Sequence, residues 1–451
     1  MNGVKTTKLG EGLSNRHITM ISIGGVIGAG LFVGSSAAIA KAGPAAVLAY
    51  IITSIIVFLV MRMLGEMAVA QPDTGSFSTY ARKAIGPWAG FTVGWLYWWF
   101  WVLVIPIEAI AGAEILHAWF PQVSSAIYAF AFIILLSLAN FFSTKSFGEF
   151  EFWFALIKVV AILLFIVIGA SAVFGLWPLA RDVSGVGHLF SNGGFMPHGM
   201  GGVLSAILIS AFSFFGVEIL SIAAAESKNP QEKIKRATNL VLYPVALVDW
   251  RSPDLQKLGT FQYVLVSLNV PQTKLIMDMV VFIAVASCMN AAVYTSSRML
   301  FALGARQEAP KVVTKINDAG VPTIAVFAST FVGLICCAVN YMFPGQVFGF
   351  LLSTTGSIAL VVYLVIAVSQ LRSRAKLERI GAQVTFKMWL FPWLTWFVIV
   401  VIMSVLGYMF LSPQYSYETT LSLGVTSIVV ICGLMVTRKN KTAKRMAVHL
   451  D

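Results

Sequence analysis

Two glycine-bearing interruptions of apolar segments are the places where this 451-residue chain has the residue types for chemistry. The first reads Gly24-Gly25-Val26-Ile27-Gly28-Ala29-Gly30-Leu31-Phe32-Val33-Gly34. Each glycine inside a helix costs about 1 kcal/mol relative to alanine, so a helix gives way here. A helix broken at membrane depth bares N–H and C=O groups. These are tolerated where they face a cavity, and there they bind ions and polar ligands. Close helix packing is the competing reading, because Gly30 and Gly34 form a small-xxx-small pair. The glycines alone leave the two level. The second interruption is Phe212-Ser213-Phe214-Phe215-Gly216-Val217-Glu218, a glycine and a carboxylate in the middle of another apolar run. Broken segments at the start of two halves of a chain point to an inverted-repeat transporter with its site where the breaks meet. A dinucleotide reading of Gly28-Ala29-Gly30 fails, since the third glycine, the preceding strand and the ribose-binding acid are missing.

Isolated charges inside apolar segments are costly and suggest function. Glu108 follows Val102-Leu103-Val104-Ile105-Pro106-Ile107, and is read either as a site residue or as a hydrogen-bonded acid that organises the bundle. Lys158 lies within Phe154-Ala155-Leu156-Ile157-Lys158-Val159-Val160, as a functional cation or as a lysine snorkelling to the interface. Arg62 and Glu66 are spaced to pair one turn apart, and that pairing is the favoured reading. Glu149 and Glu151 are read as interfacial, and the aromatic run Trp95–Trp101 as an interface belt and packing surface. The 5 histidines are scattered, and no serine has a histidine base nearby. Enzymatic chemistry is therefore disfavoured, with no cofactor and no metal site expected. The 4 cysteines, Cys288, Cys336, Cys337 and Cys432, sit inside apolar blocks as small core residues.

The elements that carry these residues must be membrane helices. The chain is 58% hydrophobic and 11% charged, with mean hydropathy +0.84, whereas a soluble domain carries about 25% charged residues. The apolar material comes in long blocks, among them 45–60, 123–138, 156–174, 203–215, 323–339, 348–368, 390–410 and 421–436. Most approach the roughly 20 residues that cross a bilayer as a helix. Backbone pairing within each segment is the rule in lipid, so an all-α polytopic fold follows. No cleavable signal peptide and no separate soluble domain are expected.

Basic residues number 31 against 19 acidic ones, and they recur in alternate loops. Lys5, Lys8 and Arg16, then Arg82 and Lys83, Lys145, 228–236, 298–315, 372–387 and 438–445 carry them. The loops between, 41–44, 117–125, 340–346 and 411–420, are nearly free of Lys and Arg. This positive-inside pattern places both termini in the cytoplasm. Charge spread over loops, with no patch, argues against a nucleic-acid partner. The same pattern demands one crossing between Glu226 and Gln272. The apolar run there, Leu240–Val248, is interrupted by Pro244 and spans roughly 14 Å, about half the hydrocarbon core. Straining one short segment costs fractions of a kcal/mol per Å, less than inverting three basic loops. Leu240–Val248 is thus expected as a short, Pro-broken helix, with Arg251–Leu258 at the outer side.

The two breaks resemble those of the amino acid–polyamine–organocation transporter superfamily. Closer still, Thr74-Gly75-Ser76-Phe77-Ser78, Gly94-Trp95-Leu96-Tyr97-Trp98-Trp99, Phe147-Gly148-Glu149-Phe150-Glu151, Ala224-Ala225-Glu226-Ser227, Ser297-Arg298-Met299-Leu300 and Val362–Leu371 resemble the bacterial 4-aminobutyrate (GABA) permeases. The resemblance implies two five-helix inverted repeats, at 18–176 and 200–371, with two further helices at 389–437 and cytoplasmic tails at 1–17 and 438–451. It implies a multi-pass protein of the bacterial cytoplasmic (inner) membrane, a proton as coupling ion and a small amino acid as substrate. By the same resemblance, the N–H groups of Ala29, Gly30 and Leu31 hold the substrate carboxylate. The carbonyls of Val26, Phe212 and Phe215 hold its ammonium, and Phe212 gates the site. Glu108, Gly216 and Glu218 complete the substrate set. Lys158 matches a lysine standing where related transporters bind a coupling sodium. The departure is at 237–271, where the match fades near Tyr243-Pro244 and returns at Asp249-Trp250-Arg251-Ser252-Pro253, so that most of a seventh helix is absent.

Three functional readings follow in order: a 4-aminobutyrate/proton symporter, a sibling permease for proline, aromatic or other α-amino acids, and a deletion variant that binds substrate without cycling. The topology has a direct test. With the native cysteines removed, a cysteine at Ser252 should react with an impermeant thiol reagent in intact cells, and one at Ser373 should not. Labelling at Ser373 would mean that the C-terminal half is inverted.

Overall fold

The computed structural model describes residues 27–70, 76–141, 144–177, 187–190, 193–216, 247–343, 345–379, 386–413 and 416–448. Within these the regular structure is helical. In chain order the helices are α1 (Ala29–Phe32), α2 (Gly34–Ala42), α3 (Ala46–Ala70), α4 (Ser76–Ala84), α5 (Pro87–Trp119), α6 (Ser125–Ala139), α7 (Thr144–Val173) and α8 (Gly199–Phe214). They continue as α9 (Pro253–Leu258), α10 (Thr260–Ser267), α11 (Thr273–Ala305), α12 (Thr323–Met342), α13 (Val347–Arg379), α14 (Trp393–Leu411) and α15 (Ser416–Val448). Among the described residues, 8 helical stretches are long and apolar enough to cross a membrane, α1–α3 counting as one, and α6 and α8 are shorter apolar helices. This is the all-α polytopic architecture expected.

The centre post is α5. It begins at Pro87, where a missing N–H costs nothing at a first turn, and packs against α4, α6, α11, α12, α13 and α15. Its middle, from Phe100 to Glu108, is buried throughout. A hydrophobic exterior surrounds this interior. Leu135, Leu164, Val167, Phe327 and Val400 are exposed, as lipid-facing residues are in a bundle where apolar burial gives no drive for association. Polar side chains join the helices instead. Thr53 on α3 meets Ser210 on α8 at 2.6 Å, Ser35 on α2 donates to Thr260 on α10 at 3.0 Å, and Asn140 after α6 donates to Asn290 on α11 at 2.7 Å.

The expected Arg62–Glu66 pair gives way to longer-range partners. Glu66, 2% exposed, accepts from Gln370 Nε2 on α13 at 3.1 Å and from the Met388 N–H, and stands 3.3 Å from the Arg374 guanidinium. Thr395 on α14 donates to Gln370 Oε1 at 3.0 Å, extending the chain of bonds. Arg62 lies over the rings of Phe386 and Trp389 and donates from Nε to the Lys387 carbonyl. The reason is burial: a carboxylate removed from water needs several donors, and a single i,i+4 partner supplies too few. The interfacial reading of Glu151 also fails, since Glu151 is 0% exposed.

Of the shortened seventh segment, residues 240–246 lie outside the described residues, and Leu247 and Val248 are buried. Trp250 packs edge-on against His198 with ring centroids 5.0 Å apart, and α9 packs on α2. Residues 250–258 therefore share an end with the start of α8 and with the turn after α2, the end that the charge pattern puts outside.

Removing Glu66 leaves Gln370 Nε2 and the Met388 N–H without an acceptor and Arg374 with Glu378 alone. Glu66→Ala should cost about 3 kcal/mol, as breaking buried pairs does, and Glu66→Gln clearly less. Thermal unfolding in detergent reads this, and an alanine variant as stable as the parent would contradict it.

Candidate functional site

The first break begins at Gly28, whose extended backbone (φ −142°, ψ −155°) precedes the short α1. A Cβ at Gly28 would come within 2.5 Å of Glu108 Oε1 and 2.7 Å of Cys288 Sγ, so the backbone approaches α5 and α11 as only glycine allows. The Ala29 N–H donates to both oxygens of Glu108, at 3.1 and 3.0 Å. A carboxylate thus sits at the broken helix end, where exposed N–H groups favour negative charge. The Leu31 N–H donates to the Gly28 carbonyl at 3.1 Å.

The second break follows α8. Phe215 is extended (φ −70°, ψ 141°) and Gly216 takes φ 106°, a conformation that disfavours side chains. The two breaks touch. Ser213 Oγ donates to the Gly30 carbonyl at 2.7 Å, and a Cβ at Gly30 would lie 2.7 Å from the Phe212 ring. Phe100 of α5 lies against Phe215, rings tilted by 45° with centroids 3.9 Å apart, and stands 6.0 Å from Phe212. Gly28, Gly30, Phe100, Trp101, Glu108, Phe212, Phe215 and Cys288 line a cavity of about 10 Å³. That is far below the roughly 300–1,000 Å³ of ligand pockets, so the site is closed around itself.

Behind the break lies Lys158, fully buried, which excludes the snorkelling alternative. Its Nζ donates to the Ile27 carbonyl at 3.2 Å and to Ser287 Oγ on α11 at 2.7 Å. Ser287 in turn donates to Glu151, two turns before Lys158 on α7. The buried ammonium therefore joins the first break to α7 and α11.

Of the residues singled out in the sequence, Ala29, Gly30, Leu31, Glu108, Phe212, Phe215 and Gly216 gather at the two breaks, and Lys158 stands directly behind. Val26 and Glu218 lie outside the described residues. Sequence reasoning passed over Ser287, gave Ser213 and Cys288 no site role, put Glu151 at the interface, and read Phe100 and Trp101 as part of an aromatic belt and packing surface. Glu151 carried a signal, its seven-residue offset from Lys158, which puts both on one helix face. Ser287 and Cys288 carried none, because α11 reads as an apolar block.

A family model for the amino acid permease family matches residues 17–446. The chain belongs to that family. A probable GABA permease of Pseudomonas aeruginosa is 54% identical over 448 residues, covering 96% of this chain and 94% of its own length. The gamma-aminobutyric acid permease of Escherichia coli K12 is 53% identical, with 94% and 93% covered. The aromatic amino acid transport protein AroP of the same strain is 35% identical, with 98% of each covered. The first alignment takes 448 positions yet only 96% of a 451-residue chain, so that relative carries residues this permease lacks. In fold the permease is similar to a manganese transporter of Eremococcus coleocola, with a TM-score of 0.55 at 14% identity and 98% of both chains covered.

The Phe212 ring against Gly30 gives a sharp test. Gly30→Val should weaken amino acid binding by about 2 kcal/mol or more, the scale of overpacking, roughly thirtyfold in Kd. Binding measured on purified, normally expressed protein checks it, and an affinity within a few-fold of the parent would remove the substrate site from this break.

Proposed function

We propose that this permease is a secondary transporter that imports 4-aminobutyrate together with protons across the bacterial cytoplasmic membrane, both termini facing the cytoplasm. The observation that carries the coupling is Lys158, a buried cation bonded to the carbonyl of the first break and to a scaffold helix. The substrate assignment is supported by identity of 53–54% to proteins named as GABA permeases, against 35% for an aromatic transporter.

Mechanistically, the substrate carboxylate takes the N–H groups at Ala29, Gly30 and Leu31. Glu108 holds the Ala29 donor in the closed site, so binding displaces Glu108 from it. The carbonyls of Val26, Phe212 and Phe215 receive the ammonium, and Phe212 must swing from Gly30 for the cavity to admit a ligand. Gly216 supplies a bend after Phe215, and Glu218 follows two residues later in the sequence. Protonated Lys158 does the structural work of a bound cation, because its charge holds the Ile27 carbonyl. On losing its proton it frees the break to rearrange. A sibling permease for proline, aromatic or other α-amino acids is the second reading. The shortened segment at 237–271 favours slower transport than in full-length relatives.

Uptake of labelled 4-aminobutyrate, competed by a panel of amino acids, tests the substrate. The unlabelled compound should compete best, and stronger competition by proline or an aromatic amino acid would reassign it. Lys158→Met should abolish the dependence of uptake on external pH. Uptake that follows pH between 5 and 8 as in the parent would remove Lys158 from the coupling step.

A further inference from the structure

We infer that Glu151 is the proton relay partner of Lys158, reached through the Ser287 hydroxyl; this rests on the proton-coupling reading of Lys158. The geometry is directional. Lys158 Nζ donates to Ser287 Oγ at 2.7 Å, and Ser287 Oγ donates to Glu151 Oε1. Lys158, Ser287 and Glu151 are each 0% exposed. A carboxylate buried without solvent in a helix bundle is expensive and marks ion or proton pathways. Here it shares one hydroxyl with the buried cation Lys158.

Other groups fix the carboxyl. Asn290, one turn beyond Ser287 on α11, stands beside Glu151 as a hydrogen-bonding side chain. Its Oδ1 accepts from Asn140 at 2.7 Å, which leaves its amide protons for the carboxylate. Facing Lys158 are Glu151 from its own helix, Cys288 from α11 and Glu108 from α5. Glu108 is occupied by the Ala29 N–H, whereas Glu151 has the hydroxyl bridge. Two helical turns, roughly 10 Å, separate Glu151 from Lys158 toward the Thr144 end of α7. That end carries Lys145 and is the cytoplasmic one in the charge pattern.

The transfer balances. An N–H bond of the Lys158 ammonium breaks and its proton passes to Ser287 Oγ. The O–H bond that Ser287 already holds breaks toward Glu151. The products are a neutral amine, an intact hydroxyl and a carboxylic acid, with no change of oxidation state. When the carrier opens to the cytoplasm and water reaches this end of α7, the proton passes from Glu151 to that water, and the carboxylate is restored.

The test uses the full chain in sodium-free proteoliposomes with labelled 4-aminobutyrate. Two rates are compared: accumulation driven by an inward proton gradient, and exchange against internal 4-aminobutyrate at equal pH. In Glu151→Gln the ratio of accumulation to exchange should fall at least about ten-fold, below the roughly hundred-fold that a positioned proton-transfer group contributes. Glu151→Asp should recover part of it. Ser287→Ala removes the bridge but keeps both ionisable groups, and should lower the ratio likewise. A purely structural role would lower both rates together and leave the ratio in place, which overturns the relay. So would a parental ratio in Ser287→Ala, even where Glu151→Gln fails to insert. Lys158→Met separates the two ideas. Loss of the ratio there with parental ratios in the other two variants sinks the relay alone, and a parental ratio in Lys158→Met sinks the coupling reading and the relay with it.

Discussion

An ammonium group stripped of water in the middle of a helix bundle survives only if carbonyls, hydroxyls and carboxylates replace its hydration, and the arrangement around Lys158 is the answer to that constraint. The Ile27 carbonyl is available because Gly28 is extended and the described helix begins only at Ala29. Ser287 is in reach because α11 packs closely along α5 and α7. Glu108 and Glu151 supply negative charge from two sides. Removing a charged partner of a buried ion costs about 3–5 kcal/mol. The cation and the broken helix therefore require each other.

The closed state follows from packing. Phe100, Phe212 and Phe215 fill the space between the breaks, and Ser213 ties α8 to the Gly30 carbonyl. With only about 10 Å³ free, room for about one water, the substrate groups must be satisfied from within. Glu108 on the Ala29 N–H does this, a protein carboxylate standing where a ligand carboxylate is expected. Farther out, a hollow of about 800 Å³ opens between Phe32 on α1, Ile110 on α5, Gln262 on α10 and Asp278 on α11. The closed site and this hollow share the first broken helix as a wall, so movement of that helix changes both.

Much of this was legible in the sequence for physical reasons. Broken helices show in the sequence where glycines cluster inside apolar runs at the start of two halves of the chain, and lone charges such as Glu108 and Lys158 stand out against apolar text. What was misread concerns partners far apart in the chain. Glu66 pairs with Gln370 and Arg374 across more than 300 residues, and no local spacing contains that. Ser287 looks like any small residue in an apolar run until α11 is set beside α7. Glu151 was assigned to the interface because its neighbours are aromatic and acidic, although its offset from Lys158 already placed it on the inner face. Phe100 and Trp101 belong to the packing half of the belt-and-packing reading, and composition alone does not say which rings point inward.

The central claim is that substrate and proton move together through the site that Lys158 stabilises. Proteoliposomes containing the purified permease and an internal pH dye, with no sodium and equal pH on both sides, measure it directly. Adding external 4-aminobutyrate should acidify the interior, and the Lys158→Met protein should give no such signal. Entry of labelled 4-aminobutyrate without acidification, or acidification that persists in Lys158→Met, would contradict the account.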